Sequence, residues 1–329
     1  MTTQSYDHLT ELTRATLSWS KPDRIAYNWR DSWIKYRVAD EILSDLEEAF
    51  NRPSAMRPLN ELIVAPPGNG KTALLHEIGE AHPNVLITSP PGNGKTGILR
   101  AEVNTHPEVG AKEVEVKPVV YALTPADCNE GKLWSEFLKR LGYPNYDIGP
   151  VITKKRIVLN ALIQCQTKLI LVDEVHNMLV GRAKAEKSLA VLKNISTETG
   201  RPIVFAGTND AREVLEFDTQ LTTRLTMHEI PIWKNDYEFA RLLYGMQATL
   251  SLHNLSSLHE DPLRTKIFDL SKGFDTNPTL KHSGILVNVL NLVRFAAGYA
   301  IRDGTEKILS KHLELAASKK QWKGGELKL

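Results

Sequence analysis

Cysteine is nearly missing from this chain. The two present, Cys128 and Cys165, make no disulfide framework and stand at no metal-ligand spacing. That excludes a small disulfide-stapled fold and a zinc module, and reads as thiols in a reducing compartment. No apolar run approaches the length of a membrane span, and no leader-type segment is recognisable at the start. The expectation is a cytoplasmic protein with no membrane partner. Charge of one sign is lacking as well: 41 Lys and Arg stand against 39 Asp and Glu, a net +2. Bulk charge therefore does not drive binding to a polyanion, and any nucleic-acid contact needs a local patch. What remains is an ordinary globular composition, 42% hydrophobic over 329 residues. That is enough for a sizeable core and two domains.

Residues 60–107 say nearly the same thing twice. The first copy runs from Asn60 through an apolar stretch to Pro66-Pro67-Gly68-Asn69-Gly70-Lys71-Thr72 and a helix-like segment. The second runs from Asn84 to Pro90-Pro91-Gly92-Asn93-Gly94-Lys95-Thr96-Gly97 and another such segment; Lys95 lies 24 residues after Lys71. Strand, Gly-rich loop, Lys-Thr and helix is the order of a P-loop. Small residues let backbone N–H groups curl around phosphate oxygens, and the helix N-terminus favours an anion. The lysine reaches the outer phosphates, and the threonine hydroxyl is a ligand for Mg²⁺. The first glycine of the strict pattern is replaced by Ala65 and Ser89, both small. A Gly-rich turn alone does not explain Lys-Thr at the same spacing in both copies, so ATP binding is expected.

Before the doubled phrase, residues 1–30 are polar and aromatic without clear period. Ala39, Ile42, Leu43, Leu46 and Phe50 then share one helical face, stopped by Asn51-Arg52-Pro53. After it, residues 117–123 read as a buried strand, with helices over 133–141 and 154–164. Residues 168–172 form an apolar strand ending in Asp173-Glu174, a Walker B pattern. There Asp173 would hold Mg²⁺, mostly through water, and Glu174 would orient and activate the attacking water. A helix over 186–200 precedes another buried strand, 202–207, ending in Thr208-Asn209. In P-loop ATPases with an inserted strand that tip senses the γ-phosphate; either residue fits, with Asn209 preferred. Arg224 precedes a closing strand, 227–232, and stands where an arginine finger would reach a neighbouring subunit. From Asn235 the pattern is helical: Phe239, Leu242, Leu243, Met246 and Leu250 share a face, as do Ile285, Val289, Leu292, Val293, Ala296 and Ala300.

This set of motifs resembles the AAA+ ATPases, and more closely the TnsC/TniB family of transposition regulators. The narrower resemblance rests on Pro-Pro-Gly-Asn-Gly-Lys-Thr, on Pro118-Val-Val-Tyr-Ala-Leu-Thr-Pro and on Leu133-Trp-Ser-Glu-Phe-Leu-Lys-Arg-Leu-Gly. It continues through Leu-Ile-Leu-Val-Asp173-Glu-Val-His176-Asn and Leu-Thr-Thr-Arg224-Leu to Leu-Asn-Leu-Val-Arg294-Phe-Ala-Ala, over roughly residues 60–300. It implies an α/β fold: an AAA+ P-loop domain with a parallel sheet flanked by helices, then a small helical lid. The expected domains are an extension with one amphipathic helix (1–59), the nucleotide-binding domain (60–232), the lid (233–317) and a mobile tail (318–329). The implied activity is slow, regulatory ATP hydrolysis with Mg²⁺. The product would be an oligomer, ring or helical filament, assembled on double-stranded DNA. It would link a TniQ-like targeting protein to transposase subunits resembling TnsA and TnsB. The alternatives are a replication-initiator or helicase-loader type of AAA+ ATPase, and a nucleotide-gated DNA adaptor without useful hydrolysis.

Members of the family carry one P-loop, roughly twenty-odd residues before the next strand. Thr96 to Pro118 fits that distance, whereas Thr72 to Pro118 is about twice too long. The expectation is therefore that Pro91, Gly92, Asn93, Gly94, Lys95, Thr96 and Gly97 hold the nucleotide, with Thr96 and Asp173 on the metal. The opposite assignment, Lys71-Thr72 with the second unit as the insert, stays open if the first strand takes the central position. The lid arginine that touches phosphate in many AAA+ proteins has Asn288 near its place, with Arg294 a turn or two later. For DNA phosphates the first candidates are Lys132 and Arg182, then Lys112 and Lys117, with salt-dependent, sequence-independent contacts expected.

Overall fold

The computed structural model describes residues 6–89, 112–179, 181–272 and 284–318. In chain order the elements are α1 (Glu11–Ala15), α2 (Lys21–Tyr27), α3 (Arg37–Asn51), β1 (Asn60–Val64), α4 (Lys71–Ala81), β2 (Val85–Ser89), β3 (Lys112–Val116), β4 (Val119–Leu123), α5 (Glu130–Arg140) and α6 (Val151–Gln164). They continue with β5 (Leu169–Asp173), α7 (Arg182–Thr199), β6 (Ile203–Gly207), α8 (Asp210–Glu216), α9 (Thr219–Thr222), β7 (Leu225–Glu229), α10 (Tyr237–Ala248), α11 (Leu263–Ser271), α12 (Leu286–Arg302) and α13 (Ser310–Ser318). They fall into two compact units. One comprises Glu41–Ala65 and Lys71–Glu229; the other comprises Met1–Asp40, Pro66–Gly70 and Ile230–Leu329.

The first unit is built on a five-stranded sheet in the order β4-β5-β6-β1-β7, parallel at every pairing. Every residue of β1, β5 and β6 is buried, which is why these strands read as apolar runs rather than as alternations. Helix α5 supplies the largest side chains of the core, Leu133, Trp134 and Phe137, which cluster with Val120, Leu162, Val172 and Phe205. Each such side chain contributes roughly 1.5–3 kcal/mol by leaving water. Asn129 starts α5 by accepting the Lys132 N–H at 3.0 Å.

β1 sits between β6 and β7. The first copy of the doubled phrase thus supplies an interior strand of the main sheet, whereas spacing to Pro118 favours the second. The second copy's strand, β2, instead pairs antiparallel with β3 in a separate two-stranded sheet, Val85 opposite Val116 and Ser89 opposite Lys112. The spacing expected of the family allows for one helix between loop and next strand. Here a whole hairpin arm, β2–β3, intervenes before β4. The loop residues Pro91 to Gly97 lie outside the described residues.

The second unit is helical. Within the described residues 6–30, where the sequence shows no apolar period, lie the two short helices α1 and α2. Thr10 caps α1, accepting the Thr13 N–H at 3.2 Å, and Ser20 caps α2, with Pro22 in the first turn. Their polarity is spent inside: Arg24, 3% exposed, donates to Glu306 Oε1 at 3.1 Å and to the Ser251 carbonyl at 2.6 Å. The apolar faces read on α10 and α12 are buried as expected, Phe239, Leu242, Leu243 and Met246 on one and Val289, Leu292, Val293 and Ala296 on the other. Among the described residues no helix is long and apolar enough to cross a membrane.

Candidate functional site

In the parallel sheet the C-terminal ends of β1, β4, β5 and β6 share one edge, and that edge carries the chemistry. Thr72, at the start of α4, donates its hydroxyl to Asp173 Oδ2 at 2.7 Å. The Tyr121 hydroxyl from β4 donates to the same oxygen at 3.1 Å. Asp173 Oδ1 accepts the Glu174 N–H at 2.8 Å. Asp173 is 1% exposed, so its carboxylate is held by these donors rather than by water.

Lys71 is buried, and its ammonium donates to the Ala65 carbonyl at 2.9 Å. Burial pulls its pKa below the usual lysine range, while the nearby charges of Glu174 and Asp173 pull it back up. A buried ammonium that donates to a backbone carbonyl beside two carboxylates places positive charge at the loop's end, where phosphate charge would come. The loop that precedes it takes backbone conformations suited to glycine, φ 71° at Gly68 and φ 94° at Gly70. Within the helical unit, a Cβ at Gly68 would come 2.6 Å from Val287 Cγ1. Asn69, fully buried, donates to the Pro231 carbonyl at 2.8 Å and accepts the Leu286 N–H at 3.2 Å.

Glu174 sits in a left-handed backbone conformation, φ 56° and ψ 39°. Its Oε2 is 3.1 Å from His176 Nε2, and His176 Nδ1 accepts the Thr208 N–H at 3.5 Å. The Thr208 hydroxyl is buried without a hydrogen-bond partner among the described residues, whereas Asn209 is exposed at the start of α8. Of the two sensor candidates, Thr208 therefore presents the unsatisfied group.

Arg224 stands at the opposite edge. Its carbonyl accepts the Asn60 N–H at 2.8 Å, where β1 and β7 begin in register, Asn60 beside Leu225. The length of β1 separates this edge from the Thr72–Asp173 pair, about 13 Å. Arg224 lines a cavity of about 200 Å³ with Arg57, Lys193, Ser196 and Gln220.

The remaining candidates scatter. Lys132 pairs with Asp127, and Arg182 pairs with Glu186 at 3.0 Å while stacking over the Phe217 ring; both stay on the surface. Lys117 does not: it is 8% exposed, and its ammonium faces the Arg140 and Leu141 carbonyls at the end of α5, at 3.5 and 3.4 Å. That employment withdraws it from the DNA-contact expectation. Lys112 opens β3. Asn288 is buried in α12. Arg294 donates to the Arg30 carbonyl at 2.8 Å and stacks over Trp29, which accounts for it inside the helical unit.

The residues present fit ATP with Mg²⁺. The Thr72 hydroxyl and the Asp173 carboxylate would supply hard oxygen ligands of the kind Mg²⁺ takes, and Lys71 would meet phosphate charge. Among the described residues no group of three or more His, Cys, Asp or Glu side chains gathers as a metal cage. That agrees with a metal held by one or two protein oxygens together with phosphate and water. Sequence reasoning missed Tyr121 and His176 as members of this edge. His176, two residues past Glu174, was the one visible signal; Tyr121 is placed only by the pairing of β4 with β5.

Solved structures similar to this chain include the Aeropyrum pernix ORC2 protein in ADPNP and ADP complexes (TM-score 0.57, 15% identity, covering 90% of this chain and 72% of that one). Another is Cdc6p from Pyrobaculum aerophilum (0.58, 14%, 91% and 72%), and a third is the Aeropyrum pernix ORC1 protein in complex with DNA (0.55, 15%, 90% and 69%). These show the AAA+ fold. No curated protein matches the sequence significantly. A family model described as "Bacterial TniB protein" matches residues 24–85 and 79–235. The two stretches overlap beside the start of the second copy. With that match covering most of the chain, and with the P-loop and Walker B pair assembled on an AAA+ sheet, this protein belongs to the TniB family and is a nucleotide-binding AAA+ ATPase.

Proposed function

We propose that the protein is an ATP-dependent regulator of DNA transposition whose working site is built on the first copy of the doubled phrase. Lys71 meets the outer phosphates of ATP, Thr72 and Asp173 hold Mg²⁺, and Glu174 orients the attacking water. Thr208 or Asn209 responds to the γ-phosphate. The observation that carries the nucleotide assignment is the 2.7 Å bond from Thr72 to Asp173. It joins the P-loop threonine of the first copy to the Walker B aspartate.

Arg224, a strand's length from that pair, is out of reach of its own site. It serves a neighbouring copy, so hydrolysis is linked to assembly into a ring or filament. TniB family membership supports duplex DNA as the platform, with a transposase (subunits resembling TnsA and TnsB) and a TniQ-like targeting protein as partners. An AAA+ fold neighbour solved in complex with DNA supports a duplex on this scaffold. Lys132 and Arg182 are the cationic surface candidates for its phosphates.

The test is electron microscopy of the protein with ATP and long duplex DNA. Rings or filaments are expected, made persistent by Glu174→Gln; wild-type protein that stays monomeric on ATP and DNA would sink the assembly reading.

A further inference from the structure

We propose that Arg57 is a second cation, beside Arg224, for the γ-phosphate of a neighbouring copy's ATP. This rests on the reading of Arg224 as a finger that serves a neighbour. The cavity of about 200 Å³ at the strand-start edge is lined by Arg57, Lys193 and Arg224, and by no aspartate or glutamate. Like charges gather around one hollow only at a cost, which an anion entering it offsets. One of the three is already neutralised, since the Lys193 ammonium donates to Asp218 at 2.8 Å. Among the described residues the Arg57 and Arg224 side chains have no hydrogen bond, ion pair or ring contact. Two other polar groups of the wall are occupied: Asn60 Oδ1 accepts the Ile203 N–H at 2.9 Å, and the Ser196 hydroxyl donates to the Arg201 carbonyl at 3.0 Å. The hollow is left with two unspent guanidinium groups and no anion of its own, which suits an oxyanion.

The sheet brings the pair together. Arg57 stands shortly before β1 and Arg224 immediately before β7, and those strands run parallel with Asn60 beside Leu225. The Asn60 N–H donates to the Arg224 carbonyl at 2.8 Å, which ties the two approaches where they enter the sheet. An anion in the cavity they line therefore faces both. The length of β1, about 13 Å, lies between this edge and the chain's own Thr72–Asp173 pair, so the oxyanion comes from outside the chain. A neighbour's γ-phosphate is such a group, and guanidinium forks match its oxygens two at a time. In the neighbour's hydrolysis a water oxygen bonds to the γ-phosphorus, its proton passes toward that copy's Glu174, and the bond to the bridging oxygen breaks. The two arginines hold the negative charge that spreads over the phosphoryl oxygens meanwhile.

Arg57 is exposed, so its replacement spares the fold. Arg57→Ala should bind ATP within about twofold of wild type as dilute protein, and lose about ten- to a hundredfold in kcat with duplex DNA. Arg57→Lys, which keeps the charge without the fork, should fall between the two. Weakened ATP binding in the dilute state, or full kcat in Arg57→Ala, overturns the proposal. Mixing shows whether the arginine acts on a neighbour. Glu174→Gln binds ATP without turning it over and keeps its arginines, so adding it to Arg57→Ala should raise the rate about fivefold or more above the sum of the two alone. Adding the double variant Arg57→Ala/Glu174→Gln should raise nothing. Recovery with the double variant, or none with Glu174→Gln, overturns the proposal. Arg224→Ala mixed with Glu174→Gln tests the underlying reading. If that mixture also stays silent, the reading of Arg224 fails; if it recovers while Arg57→Ala does not, Arg57 alone is misassigned. Inorganic phosphate is the probe for a free oxyanion. Its binding to dilute wild-type protein, lost in Arg57→Ala and with no recovery on mixing, would make the cavity a free-anion site and overturn the proposal.

Discussion

The Thr72 hydroxyl donates to Asp173 across 2.7 Å although 101 residues of chain separate them. A P-loop threonine and a Walker B aspartate meet only if their strands share a sheet, and this bond is what supports the proposal of the first copy as the nucleotide site. Lys71→Ala should weaken ATP binding, measured with a fluorescent nucleotide, and Lys95→Ala should leave it within about twofold of wild type. The reverse pattern would return the site to the second copy. Removing a charge-assisted phosphate contact costs about 1.5–3 kcal/mol, roughly ten- to a hundredfold in affinity.

Arg224→Ala separates binding from assembly. Its guanidinium lies at the strand-start edge with Arg57 and Lys193, so ATP affinity of dilute protein should not change. ATPase activity at concentrations that support assembly should fall by about a hundredfold or more, since an arginine finger supplies about 10³–10⁵ in rate. A variant whose ATP affinity falls in the dilute state would refute the division of labour between the two edges.

Tyr121 keeps its proton through the working pH range. Burial raises its pKa, and the Asp173 charge and the hydrogen bond to it raise it further. It is therefore a constant donor to Asp173. Tyr121→Phe removes one hydrogen bond of about 0.5–1.5 kcal/mol and should weaken Mg²⁺-dependent ATP binding by a few-fold. The ratio of variant to wild type should stay flat from pH 6 to about 9; a ratio that changes across that window means the phenol titrates and the argument is wrong.

A buried carboxylate sits in β1, an interior strand of the sheet. Glu61, 1% exposed, accepts from Arg52 at 2.8 Å and lies 3.1 Å from His228 Nε2. Stripping the arginine leaves the charge with the histidine alone, so Arg52→Met should cost about 3 kcal/mol, seen as a lowered melting temperature. Arg52→Met combined with Glu61→Gln should recover part of that loss. If the double variant melts no higher than the single one, Glu61 is not the source of the cost.

In the helical unit, burial pushes the Glu306 carboxyl up, but hydrogen bonds and charge from Arg24 outweigh it and leave the pKa below the ordinary glutamate value. A carboxylate with a depressed folded pKa adds stability above its unfolded pKa and loses it as pH falls through the folded one. Melting temperature should therefore drop as pH is lowered through about 4.5 and further. Glu306→Gln should flatten that part of the acid limb; an unchanged acid limb would remove this pair from the explanation.

Most of the architecture is legible in local pattern. The apolar runs ending in Asp173 and Gly207 are strands because both faces of a parallel sheet are covered, and the faces of α10 and α12 follow the helical period. Motif order points to Asp173, Glu174 and Arg224, and the sheet sets the first two at the end of β5 and Arg224 just before β7, at the opposite edge. What local pattern does not hold is which of two near-identical phrases enters the sheet. Asn60 and Asn84, or Lys71 and Lys95, differ only in their distant partners, and β1 is chosen by pairing with β6 and β7. The helices before residue 30 were hidden for a related reason. Arg24 is polar and buried, and its partner, Glu306, lies at the other end of the chain.

The β2–β3 arm has a consequence for the chain that joins its two strands. Ser89 and Lys112 are paired, so the chain leaves and returns at adjacent backbone positions, and neither strand of the arm is a member of the five-stranded sheet. Chain added between Ser89 and Lys112 is a detour that breaks no ladder of the five-stranded sheet. The cost of a longer detour grows only with the logarithm of its length. If the first copy is the nucleotide site, as proposed, a chain shortened between Ser89 and Lys112 should keep its ATPase activity.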